Sequence, residues 1–220
     1  MTKGVLIVEG KSDYFFFKKL CKKNGFNEIE IKVYTPDNFN DRETKQGVIN
    51  ILQILIKLVE AFYVDRLGII VDADYVENGG GLDNTLSQIY EKIKDHGYSK
   101  EYKKFENTGI YFESDKGLPK IGVWVMPNNL DEGMIEDWIL SICNPIEQPF
   151  LDMVVQKVEG VKPIKFKEIH KSKAISSTWL AWQKKPGLGF FYLFKENLID
   201  EQHTNYKNWI DWMNKIFIEK

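Results

Sequence analysis

Three carboxylates, Glu9, Asp72 and Asp74, stand directly after runs that read as buried strands. Glu9 follows Gly4-Val5-Leu6-Ile7-Val8, and Asp72-Ala73-Asp74 follows Leu67-Gly68-Ile69-Ile70-Val71. A short, unbroken apolar run is the pattern of a strand covered on both faces. In an open α/β sheet, ligands gather outside the carboxyl ends of the strands. The three acids are therefore expected to share one sheet edge. Carboxylates held close repel one another unless protons or a cation intervene. A hard divalent ion, Mg2+ or Mn2+, suits such oxygen ligands. Asp72 and Asp74 are two residues apart, and alternate residues of an extended chain point the same way, so both are expected to reach one ion or an ion pair. Gly10 permits a tight turn or the close approach of a ligand. Asp13, in the first turn of the next helix, either supports the site or stabilises the helix dipole.

The elements that must position these acids alternate along the first half of the chain. Val5 to Val8 is read as a strand. Ser12 is expected to cap a helix that buries Phe16, Phe17, Leu20 and Cys21 and stops at Asn24-Gly25. Ile29 to Tyr34 reads as a second strand, Pro36 to Arg42 as a polar loop, and Val48 to Val64 as a long amphipathic helix. Leu67 to Val71 is the third strand. Gly79-Gly80-Gly81 is expected to be a flexible loop, with Asp83 capping a helix that ends at Gly97. Ile110 to Phe112 and Ile121 to Met126 are further strands, Pro127-Asn128-Asn129 closes the last, and Met134 to Ile142 is a helix. This order predicts an α/β fold: a mainly parallel, Rossmann-like sheet flanked by helices. After Pro145 the strand pattern stops. Residues 147–158, 174–183 and 206–218 read as helices. Residues 1–144 are thus expected to form the core, and 145–220 a helical C-terminal extension packed on it.

Composition narrows the classes. A chain of 220 residues with 43% hydrophobic residues suits a packed globular core. The net charge of -2 does not advertise a nucleic-acid binder, so such binding would need a local basic patch or bound metal. Cys21 and Cys143 suggest neither a disulfide framework nor a zinc site, and His96, His170 and His203 lie far apart. Polar residues interrupt the Val48–Val64 stretch, which argues against a membrane span. With no signal-peptide pattern at the N-terminus, a soluble cytoplasmic protein is expected. The glycine run lacks the Lys-Ser/Thr of a P-loop.

The segments LIVEGKSD and IIVDADY together resemble the Toprim domain, the metal-binding module of topoisomerases, bacterial primases and several small nucleases. The resemblance covers roughly residues 4–140. Glu9, Asp72 and Asp74 match the family's Glu and D-x-D positions. Two further segments, VWVMPNNLDEGMIEDWIL and HKSKAISSTWLAWQKKPG, resemble an uncharacterised group of short bacterial Toprim-like proteins related to the overcoming-lysogenisation-defect nucleases. In that branch a later acid and a downstream Lys assist the metal site, which implies Glu136 and Lys173. Asp137 beside Glu136 would support the site or simply favour a helix N-terminus.

The resemblance implies Mg2+- or Mn2+-dependent hydrolysis of nucleic-acid phosphodiesters, on DNA or RNA. Glu9, Asp72, Asp74 and Glu136 would hold metal, with Glu9 alternatively a general acid or base. Lys173 or Lys11 would neutralise charge developing on the phosphate. The basic stretch 157–173, with Trp179 and Trp182 nearby, is a candidate guide for nucleic acid, although an aromatic helix face packed on the core is the plainer role for the tryptophans. The tyrosine nucleophile of topoisomerases and the zinc domain of primases are not marked in this chain. Two other readings stay open: a non-catalytic module that uses the same acids to bind nucleic acid or a partner protein, and a glycosyltransferase whose D-x-D holds Mn2+. The sequence also leaves room for a homodimer.

Overall fold

The computed structural model describes residues 4–33, 44–106 and 109–219. Tyr34 and the polar loop expected at Pro36 to Arg42 lie outside them. The order is β1 (Gly4–Val8), α1 (Lys11–Lys23), β2 (Ile29–Val33), α2 (Lys45–Glu60), β3 (Arg66–Asp72), α3 (Leu82–Ile93), β4 (Lys103–Lys104), β5 (Ile110–Phe112), β6 (Ile121–Met126), α4 (Ile135–Ser141), α5 (Gln148–Gly160), α6 (Lys171–Ala181) and α7 (Thr204–Phe217). The fold is α/β, as the alternating pattern predicts.

The sheet order is β2-β1-β3-β6-β5-β4. The first four strands are parallel, and β5 and β4 form an antiparallel edge. From β1 the chain moves to β2 on one side, then to β3 on the other. The crevice between the carboxyl ends of β1 and β3 is therefore a topological switch point, where α/β sheets place their ligands.

Strand residues alternate between two cores. Val5, Ile7, Leu67, Ile69, Val71, Val123 and Val125 face α2 and α3. Leu6, Val8, Ile70, Trp124 and Met126 face α1, α4, α5, α6 and α7. Complete burial of β1 and β6 explains their unbroken apolar sequences. The second core is unusually aromatic: Phe17 stacks on Trp209 at 5.7 Å, and Trp138 lies parallel to Tyr206 at 6.4 Å. Its helices come from both halves of the chain, so the C-terminal segment covers a sheet face directly.

A row of glycines permits that cover. In register, Gly68 lies beside Leu6 and Gly122. A Cβ at Gly68 would stand 2.8 Å from the Phe217 ring, and one at Gly122 would stand 2.5 Å from Ile216. The end of α7 thus rests on bare backbone.

Several local expectations give way. Gly10, not Ser12, is the N-cap of α1, and the Asp13 carboxylate accepts the Gly10 N–H at 3.0 Å. Gly81, not Asp83, precedes α3. The glycine run is a hydrogen-bonded turn: Gly80 N–H donates to Tyr75 O at 3.0 Å and Gly81 N–H to Ala73 O at 2.8 Å. A Cβ at Gly80 would lie 2.6 Å from the Ala73 carbonyl oxygen, so close backbone approach, rather than mobility, selects glycine there. Cys21 and Cys143 are buried free thiols, and burial pushes both up to about 12. No helix among the described residues is long and apolar enough to cross a membrane.

Candidate metal centre

Parallel pairing brings three strand-to-helix turns to one edge. The β1–α1 turn carries Glu9 and Asp13, the segment after β3 carries Asp74, and the β6–α4 connection leads to Glu136 and Asp137. Glu9 Oε1 accepts the Asp72 N–H at 2.7 Å. Asp72 Oδ1 in turn accepts the Ile135 N–H at 2.9 Å, at the first residue of α4. One hydrogen-bonded chain therefore links the ends of β1, β3 and α4.

Asp74 departs from the simple alternation argument. The strand ends at Asp72, and Asp74 has a left-handed φ of 57°. Its backbone pairs with Gly133, donating at 2.9 Å and accepting at 3.2 Å. An aspartate in this conformation bends the chain, so Asp72 and Asp74 are not successive same-side residues of one strand. The Asp74 carboxylate instead forms an ion pair with Lys45, the first residue of α2. The Lys45 ammonium also donates to Asp72 O at 3.0 Å, Ala73 O at 3.2 Å and Thr85 Oγ1 at 3.4 Å. A cation thus already sits among oxygen donors beside the D-x-D segment.

Glu136 and Lys173 do meet. They lie 3.5 Å apart across the N-terminal ends of α4 and α6. Glu136 is buried, whereas the Lys173 side chain is 56% exposed. Beside them, Asp137 accepts the Met134 N–H at 2.8 Å and the Ser172 hydroxyl. Asp137 therefore caps α4 and ties it to α6, the helix-end role considered for it. Lys11 is exposed on the first turn of α1.

The electrostatics single out the half-buried pair Glu9 and Asp72. Burial pushes Glu9 up to about 8; Asp13 and Asp74 add to this, while the Asp72 N–H and Lys45 oppose it. Asp72 is also raised, first by burial and then by Glu9, Asp13, Glu136 and Asp74. These five acids thus act on one another through space, with Lys45 in contact with Asp74 and Lys173 with Glu136. Tyr75 is pushed up too, by burial first and then by Asp137, with a hydrogen bond to Ser172 opposing.

Among the described residues, no three His, Cys, Asp or Glu side chains are arranged as a group to hold a metal ion. The donor set nonetheless fits a hard cation in kind and charge. All the acids are oxygen donors, two of them are raised by burial first and by neighbouring acids second, and an ammonium already occupies an all-oxygen position. Glu9, Asp72 and Glu136 are the side chains that would hold it; Asp74 would first have to leave Lys45.

Lys45, Ser172 and Tyr75 were not legible as site residues. Lys45 had one local signal: α2 has no acid in its first turn, and a cation at a helix N-terminus opposes the dipole. Trp179 is buried and donates to Glu147 Oε1 at 3.0 Å, so it serves the core, while Trp182 is 48% exposed at the end of α6.

A cleft of 390 Å³ opens beside Glu136 and Lys173, lined also by Ser12, Ser177, Leu188 and Phe190. A model of a family described as a protein of unknown function (DUF3226) matches residues 3–218. No curated protein and no solved structure matches the chain significantly.

Proposed function

Within DUF3226, the family of unknown function to which this chain belongs, we propose that the carboxylates at the β1–β3 switch point bind Mg2+ or Mn2+ for hydrolysis of nucleic-acid phosphodiesters, as in Toprim nucleases. The observation that carries this reading is the hydrogen-bonded chain Glu9–Asp72–Ile135. It links two half-buried acids at adjacent parallel strand ends to the start of α4, which carries Glu136. The resemblance of LIVEGKSD and IIVDADY to Toprim supports the same residues on independent grounds.

The ion would polarise the phosphoryl oxygens and offset the charge of the leaving oxygen. The chain's own groups supply the rest. Glu9, raised to about 8 by burial, would give up its proton where a cation bound, so its carboxylate would be one of the groups holding the ion. Lys173 stands at the mouth of the cleft and is exposed enough to swing from Glu136 to a phosphate. Water attacks phosphorus, the bond to one ester oxygen breaks, and the water's proton balances that leaving oxygen as a hydroxyl. The products are a phosphomonoester end and an alcohol end.

The test is turnover. Purified protein with Mn2+ or Mg2+ is expected to cut or nick DNA or RNA, and Asp72→Asn is expected to abolish cleavage. Cleavage that persists in Asp72→Asn and in Glu9→Gln defeats the proposal. Stoichiometric metal binding with no turnover on either nucleic acid replaces it with a metal-dependent binding module.

A further inference from the structure

The cleft beside Glu136 does not end at Phe190. Farther along α1 lies a second hollow of 440 Å³, lined by Phe15, Lys18, Lys19, Lys22 and Phe191. Ser12 of the cleft and Phe15 of the hollow are one helical turn apart, hence on neighbouring positions of one face. Phe190 and Phe191 are consecutive residues, on the two sides of the same seam. The two depressions therefore adjoin along the contact of α1 with residues 190–192.

Two features of this hollow are out of place on an ordinary surface. Phe15 is 54% exposed and Phe191 39%, and both present ring surface that water does not favour. Their neighbours hold them. Phe15 packs edge-on against Tyr14 at 5.3 Å, and the buried Phe16 meets Phe190 edge-on at 6.3 Å. Beside these rings stand three lysines, and none of the described residues lining the hollow is acidic. In a chain of net charge -2, this is a local reversal of sign.

We propose that this surface seats an unpaired nucleic-acid strand, with bases on Phe15 and Phe191 and phosphates on Lys18, Lys19 and Lys22, and leads it into the cleft at Lys173. The proposal rests on the nuclease reading and names its substrate class. Exposed aromatic rings next to cations are how sequence-tolerant single-strand sites are built, because every base has a face to stack. In a duplex those faces are covered by neighbouring base pairs, so only an unpaired strand uses both halves of the surface. Ser12 to Lys22 spans about 15 Å of helix, room for a few nucleotides. The basic stretch 157–173 is less suited: Lys171 faces Glu159 and Glu168, and Lys173 faces Glu136. An anionic membrane would also attract lysines and phenylalanines, but these rings line a hollow that continues toward the Glu136–Lys173 cleft, a shape for a strand rather than a flat surface.

The experiment is fluorescence anisotropy on the full chain in EDTA, with labelled oligo(dT), oligo(rU) and a hairpin duplex. Both single strands are expected to bind more tightly than the duplex. Phe15→Ala and Phe191→Ala should each weaken single-strand binding by about tenfold, the scale of one base stacked on one ring. Lys18→Gln, Lys19→Gln and Lys22→Gln together should lower the slope of log affinity against log salt by about 2. Phe15→Tyr should restore binding, and unchanged melting temperatures exclude misfolding. Preference for the duplex, binding indifferent to these changes, or binding only to vesicles containing phosphatidylserine overturns the proposal. Hydrolysis of bis(4-nitrophenyl) phosphate with Mn2+ separates the two ideas, since that small diester needs the carboxylates but no track. Turnover there without oligonucleotide binding removes the track and leaves the metal-site reading standing.

Discussion

Glu9→Gln is the substitution whose consequence the structure fixes most closely. Gln keeps an oxygen to accept the Asp72 N–H now bound at 2.7 Å, so geometry is conserved while the charge is removed. In the folded, metal-free protein Glu9 is raised from 4.5 to about 8. A group raised on folding contributes stability that is fully present below its unfolded pKa and lost as pH rises through the folded one. The loss therefore runs from about pH 4.5 to about pH 8 and levels off above. With roughly 1.4 kcal/mol per unit, the part falling between pH 6 and pH 9 is roughly 2–3 kcal/mol. In EDTA, denaturant melts of wild type should therefore lose stability across that interval relative to Glu9→Gln. Saturating Mg2+ or Mn2+ should cancel the difference in wild type, because a cation replaces the proton. A wild-type minus Glu9→Gln difference that is flat from pH 6 to pH 9 would refute the burial argument. A difference that persists unchanged in metal would refute the cation argument alone.

Three further outcomes follow from particular contacts. Lys45→Met removes the ammonium from Asp74 and from two carbonyls; the metal-free protein should lose about 1–3 kcal/mol near pH 8, and divalent metal should restore more of its melting temperature than it adds to wild type. Gly122→Ala sets a Cβ 2.5 Å from Ile216 and should cost about 1–3 kcal/mol by urea denaturation. Asp137→Ala deletes the α4 cap and the tie to Ser172; a loss of about 1–2 kcal/mol is expected, with a fall in nuclease kcat larger than the stability loss explains, since Glu136 sits on the same first turn.

The first and third strands and their acids were legible because each is an apolar run of five residues followed directly by an acid, Glu9 or Asp72. Period and length alone determine that pattern. That Gly68 and Gly122 lie side by side was not legible, since the pairing exists only once the register of β3 and β6 is known. The same limit hid the α1 hollow: Phe15 looks like one more residue of an aromatic helix until Phe191, far along the chain, is folded against it. Asp74 shows the opposite failure. The spacing D-x-D assumes an extended backbone, and the chain turns left-handed at the second Asp to pair with Gly133. Asp83 and Ser12 failed as caps for a related reason. A glycine two positions earlier precedes each helix, Gly10 extended and Gly81 at a positive φ of 95° that favours glycine, and Asp13 supplies the capping bond from inside its helix.

Charge at helix starts ties these observations together. A lysine in the first turn opposes the helix dipole, yet α2 begins at Lys45, and α6 begins at Lys171 and carries Lys173, both without an acid in the first turn. Lys45 contacts Asp74 and Lys173 contacts Glu136. The unfavourable dipole at each helix end is thus offset by an acid of the same cluster. The balance is incomplete, because Glu9 and Asp72 remain raised in spite of Lys45. The two lysines also differ in what they leave open. Lys45 is only 15% exposed and is held by four oxygens, whereas Lys173 is half in water. The first holds the D-x-D segment together. The second, under the proposed nuclease reading, would be free to leave Glu136 for a phosphate entering the cleft. On that same reading, the α1 lysines could hold a strand without metal, whereas the scissile phosphate would come against the acids only after a divalent ion had reversed the local sign.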